Sequence, residues 1–196
     1  MAAAAVPFIE AALGRLLIAL GLTVATDATV DQVRKRKEEA DNARTAPIAK
    51  AESQTKAKEK CKECPPDRGT IFTRTFPVRK AWVDYQARIG GMRSGPTFIE
   101  EWVYNKIRFD GFTSAQCLLK EAKGGYDRFF DEWGRPLRWW DHNVEDMIVE
   151  IVSQDLAAIP KPTVKLAWFW QEPVSYRYFS RILSAAAPDV PHTYFP

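Results

Sequence analysis

Cysteine is scarce in this chain, three residues in 196, and histidine scarcer still, with two. So few cysteines exclude a disulfide-built mini-domain, and their odd number leaves at least one thiol unpaired, which points to a reducing compartment at the place of action. His142 and His192 are too few for the HNH-type chemistry that Asp141-His142-Asn143 would otherwise suggest. Long apolar runs are missing too. The longest, Leu16 to Ala25, falls short of the roughly 20 residues a membrane-crossing helix needs, and it lacks the early positive charge of a secretory signal. No charge of one sign dominates: 28 basic against 25 acidic residues leave a net +3. That balance permits contact with a polyanion but is well short of a basic nucleic-acid coat.

What is present is apolar and aromatic. The hydrophobic fraction is 46%, with seven Trp, eleven Phe and six Tyr, enough for one packed domain from about Thr70 onward. Residues 1–60 read differently. Leu16 to Ala25 suits an amphipathic helix that packs on the domain or a partner, or a targeting element that a chaperone shields. Asp27 to Lys60 is a charged helix or linker, in which Arg34-Lys35-Arg36-Lys37 is partly neutralised by Glu38-Glu39. Two units are therefore expected: a helical extension over 1–60 and a globular domain over 61–196.

Along the domain, Cys61-Lys62-Glu63-Cys64 has the spacing of half a thiolate zinc site, but the other half is absent. A turn with a local disulfide or two free thiols is the favoured reading, with Cys117 alone. Ile71 to Phe76 alternates as a strand, and Trp82 to Ile89 has helical spacing that stops at Gly90-Gly91. Thr97-Phe98-Ile99-Glu100 has the form of a capping box, which predicts a helix to about Asn105 with Glu101 at the margin of its apolar stripe. Tandem Trp139-Trp140 suits a core more than a base-stacking platform. Val144, Met147, Ile148, Ile151, Val152 and Leu156 mark a helix that ends before Pro160, with Gln154 off its apolar face, where it could approach phosphate or water. Val164 to Trp170 reads as a strand and Pro173 to Leu183 as a helix, giving an α/β fold with a central mixed sheet flanked by helices.

The chemistry concentrates between Ile107 and Lys123. Asp110 ends one strand-like run, and Glu121 and Lys123, two apart on the next, share a strand face. If the two runs pair, two carboxylates and an ammonium converge. Carboxylate oxygens suit a hard divalent cation that keeps several waters and also binds phosphate oxygens, and a nearby lysine stabilises charge on a scissile phosphate.

The spacing Asp110-x10-Glu121-x-Lys123 matches the pattern of restriction endonucleases. Several phrases in order, from about Cys61 to Leu183, resemble the restriction-endonuclease-fold toxin domains, fifth class, of bacterial polymorphic toxins. They are Cys61-Lys62-Glu63-Cys64-Pro65-Pro66, Tyr85-Gln86 with Ile89-Gly90, Glu101-Trp102, Phe109-Asp110-Gly111-Phe112, Leu119-Lys120-Glu121-Ala122-Lys123-Gly124 with Tyr126-Asp127, and Gln154 with Trp168. Phe109 stands where the founding motif has proline.

The resemblance implies a PD-(D/E)xK core and a magnesium- or manganese-dependent nuclease that cuts DNA, with Asp110 and Glu121 as metal ligands and Lys123 as the catalytic lysine. It implies Glu101 as the acid of the preceding helix and Gln154 as a polar partner from the following one. It further implies a toxin made in the bacterial cytoplasm, secreted by a contact-dependent route such as type VI secretion with a chaperone or spike protein, delivered into a competitor's cytoplasm, and silenced at home by an immunity protein. The rival reading is a non-enzymatic partner-binding module, which predicts no divalent-dependent cleavage.

Overall fold

The computed structural model describes residues 63–196; the expectations for residues 1–60, and for Cys61, lie outside them. Among the described residues, two four-stranded sheets and three α-helices make a mixed α/β fold. The first sheet is antiparallel. Its centre is β3 (Phe98–Tyr104), paired on one edge with β1 (Thr70–Thr75) and on the other with β2 (Ser94–Gly95) and β4 (Ile107–Phe109). The second is mixed, in the order β5 (Gly111–Thr113), β6 (Leu118–Lys123), β7 (Lys165–Trp170), β8 (His192–Tyr194), with β5 antiparallel to β6 and the remaining pairs parallel. A single central sheet was expected; the chain instead changes sheets at Asp110, between β4 and β5.

The helix expected after Thr97 is β3. Its residues, Phe98, Ile99, Trp102, Val103 and Tyr104 among them, favour a pleated, half-buried surface, and partners on both edges outweigh the local capping signal. Other elements fall where periodicity places them. Helix α1 (Trp82–Gly90) stops on Gly91, whose φ of 73° is the left-handed conformation that suits glycine. Helix α2 (Asp141–Ala157) and helix α3 (Pro173–Ala186) flank β7 in sequence.

Alternation divides the second sheet into two faces. Leu119, Leu166, Trp168 and Trp170 turn toward α2 and α3 and join Val144, Met147, Ile148, Ile151, Phe179, Ile182 and Leu183 in the main core. Ala122 and Phe169 turn the other way, under Tyr85 and Ile89 of α1. Trp140 joins the core at 5% exposure, stacked on Phe129, while Trp139 is 63% exposed. Cys117 is not a lone thiol: it is bonded to Cys64. Two of the three cysteines are thus paired, and the step from cysteine count to a reducing compartment loses its footing. Among the described residues no helix is long and apolar enough to cross a membrane.

Candidate functional site

Asp110 belongs to neither sheet and is fixed by both. Extending the β3–β4 register by one residue puts it opposite Glu101, and extending the β5–β6 register by one puts it opposite Glu121. Glu101 of β3, Glu121 of β6 and the linking Asp110 thereby meet at the junction. Two contacts lock Asp110 in place. Its Oδ2 accepts the Ala122 amide at 2.8 Å, and its backbone lies against Gly90, where a Cβ would collide with the Asp110 carbonyl oxygen. The last turn of α1 must be glycine for the acid to sit there.

Glu121 and Lys123 point to the same face of β6, the one that carries Leu119 into the core. Lys123 Nζ donates to Glu121 Oε1 at 2.6 Å and to Glu150 Oε2 of α2 at 2.6 Å, and it lies 4.9 Å from the centre of the Trp168 ring. Gln154 Nε2 donates to Glu121 Oε2 at 2.6 Å and to the Arg108 carbonyl at 3.2 Å. Gln154 was expected off the apolar face of its helix, yet it is 1% exposed. It follows Met147 and Ile151 at i+7 and i+3, on the inward stripe. Glu101 sits on β3 rather than on a helix, between Arg74 at 3.5 Å and Arg108 at 3.4 Å. All five expected residues line one cavity of about 640 Å³.

Burial sets the electrostatics. It pushes the Asp110 carboxyl up to about 7; Lys123 and the Ala122 amide pull against this, while Glu101 and Glu150 add to it. Burial, reinforced by the charge of Asp110, also holds Glu121 well above the usual carboxylate range in spite of Lys123. Burial disfavours the Lys123 ammonium, but Glu121 and Glu150 more than reverse that, so it stays charged. Such a crowd of buried acids cannot all ionise without further positive charge.

Among the described residues no group of three His, Cys, Asp or Glu side chains is arranged to hold a metal. The donors that are present nevertheless suit magnesium, which takes one or two carboxylates and fills its remaining positions with water and substrate oxygens. Asp110 and Glu121 supply the carboxylates. Backbone alternation along β6 turns the Ala122 carbonyl to the same edge as its amide, toward Asp110. Beside Glu121, the buried Gln154 Oε1 has no hydrogen-bond partner among the described residues.

Two residues of the site escaped sequence reasoning. Glu150 looks like any solvated acid on a helix flank, and only the 2.6 Å contact with Lys123 singles it out. Gly90-Gly91 was read as a helix stop, and Gly91 ends the helix, but Gly90, its last residue, also seats Asp110.

No curated protein matches the chain. Residues 82–173 match the family model described as restriction endonuclease fold toxin 5. That stretch runs from the first residue of α1 past the end of β7 and includes Glu101, Asp110, Glu121, Lys123, Glu150 and Gln154. Over residues 82–173, 92 of the 196 residues, this chain is similar to the restriction endonuclease fold toxin 5 family.

Proposed function

We propose that residues 61–196 form a metal-dependent endonuclease of the PD-(D/E)xK type that hydrolyses phosphodiester bonds in the DNA of a competitor cell. The observation that carries this reading is the meeting of Asp110, Glu121 and Lys123 in one cavity, with the two carboxylates placed opposite each other by strand register. Asp110, Glu121 and the Ala122 carbonyl would hold one magnesium or manganese ion. The chemistry such an ion would supply there is polarisation of a phosphodiester oxygen and a lowered pKa for a water. Lys123 stabilises negative charge that develops on the phosphate, and its contacts with Glu121 and Glu150 keep it protonated for that task. Gln154 positions Glu121 through its 2.6 Å hydrogen bond. Glu101 adds negative charge opposite Asp110.

The family's description as a toxin supports the rest of the proposal: secretion and delivery with a chaperone or spike protein, helped by the extension over residues 1–60, and a cognate immunity protein in the producer. A protein that blocks a nucleic-acid groove should itself be acidic.

The test is incubation of purified protein with plasmid DNA and with RNA, in magnesium and in chelator. DNA cleavage that requires magnesium is expected. Glu121→Ala and Lys123→Ala should each lower the rate at least about 10²-fold, the scale of losing one group that stabilises transition-state charge. Full activity in either folded variant would sink the assignment. An intact substrate under every condition is the outcome that a partner-binding module predicts.

A further inference from the structure

Two buried polar side chains that line the cavity of the acids have no role so far, Gln86 of α1 and Ser153 of α2, and of these only Gln86 carries an obligate donor. Gln86 of α1 is 4% exposed, lines the cavity, and its Nε2 has no hydrogen-bond partner among the described residues. A buried N–H that has lost water without gaining an acceptor is costly and rare.

Its place on the helix says what it faces. Trp82, Gln86 and Gly90 recur at i, i+4 and i+8 and so form one stripe of α1. At one end Gly90 abuts the backbone of Asp110; at the other Trp82 carries the Arg74 guanidinium 4.9 Å above its ring. Gln86 stands between them, about 6 Å along the axis from each.

The donors closest to the acids are engaged. Lys123 is held by Glu121 and Glu150, Gln154 Nε2 serves Glu121, and Arg74 and Arg108 face Glu101. An amide N–H can only donate, so whatever completes it must bring an acceptor. It also adds no charge of its own to a crowded set of acids.

We propose that Gln86 is a substrate-binding residue whose Nε2 donates to a non-bridging phosphate oxygen of the nucleic-acid strand in this cavity. The proposal rests on the nuclease reading for its substrate class.

Gln86→Met keeps the size and loses the donor; Gln86→Ala loses both. With DNA and magnesium, both variants should raise KM about tenfold while kcat holds, and the Met variant should keep or raise Tm because an orphaned polar group is gone. In a Glu121→Gln background with chelator, where no cleavage occurs, either change should weaken Kd for a labelled DNA duplex about tenfold. A packing role would instead leave KM and Kd at the wild-type values and lower Tm in the Ala variant only, and that pattern overturns the proposal. Wild-type protein that binds the duplex in a Gln86-dependent way but never cuts it would refute the nuclease reading and leave this one standing.

Discussion

At the scale of single residues, the titration of Asp110 has a thermodynamic consequence for the whole chain. Its folded-state pKa, raised by burial to about 7, lies above the unfolded value near 3.9. Between those values the folded protein binds a proton that the unfolded chain has released. The associated stability is fully present below about pH 4 and is lost as pH rises through about 7. Glu121, raised in the same direction, extends the loss further. In chelator, Tm should therefore be higher at pH 5 than at pH 8, and Asp110→Asn should shrink the difference. Magnesium should recover Tm at pH 8, since a cation that binds the ionised acids stabilises the folded state; no response to magnesium would count against Asp110 and Glu121 as ligands. Gly90 offers a second test. Gly90→Ala places a Cβ against the Asp110 carbonyl and should cost about 1–3 kcal/mol in chemical denaturation, with lower activity as the acid shifts.

At the scale of elements, α3 shows how a long-range contact does the work of a local one. Glu172, which precedes it, makes no side-chain cap. Asp127, more than forty residues earlier, accepts the amides of Val174 at 3.1 Å and Ser175 at 2.7 Å, and the Ser175 hydroxyl at 2.7 Å. Its own amide donates to Glu172 Oε2 at 2.8 Å. Asp127→Ala should cost about 1–2 kcal/mol, as loss of a helix cap does. Thr97→Ala, by contrast, should be neutral within about 0.5 kcal/mol, because the exposed Thr97 begins no helix. These two residues show why some elements were legible and others were not. The helices at Trp82, Val144 and Pro173 and the strands at Leu118 and Val164 announce themselves by period. The strand at Phe98 is decided by its neighbours β1 and β4, and a short polar signal at its start pointed the other way.

At the scale of the molecule, the disulfide closes a span of 53 residues, from just before β1 to just before β6. It therefore ties the first sheet to the second. A loop of that length is worth about 4 kcal/mol by chain entropy, so Cys64→Ser with Cys117→Ser should unfold at visibly lower denaturant than the parent, measured without reductant. Nothing in the sequence reveals which cysteines join, because connectivity depends on which turns the folded sheets bring together. The same limit applies to the site. Asp110, Glu121 and Lys123 could be read from one strand pair and a spacing, and Glu101 and Gln154 from the family's phrases. The Glu150 and Gly90 contacts needed the packing of α2 and α1.

The ten residues between Asp110 and Glu121, which made the pair readable, are a property of a hairpin. Register alone sets the two acids opposite each other: Gly111 faces Lys120, and the next position outward is Asp110 facing Glu121. The turn at Ser114–Gln116 could be longer or shorter and the carboxylates would still meet, provided β5 and β6 kept their pairing. A pattern search tied to ten intervening residues would then pass over a cousin with the same pair of facing acids. One that asks for an acid just outside a short antiparallel ladder would find it.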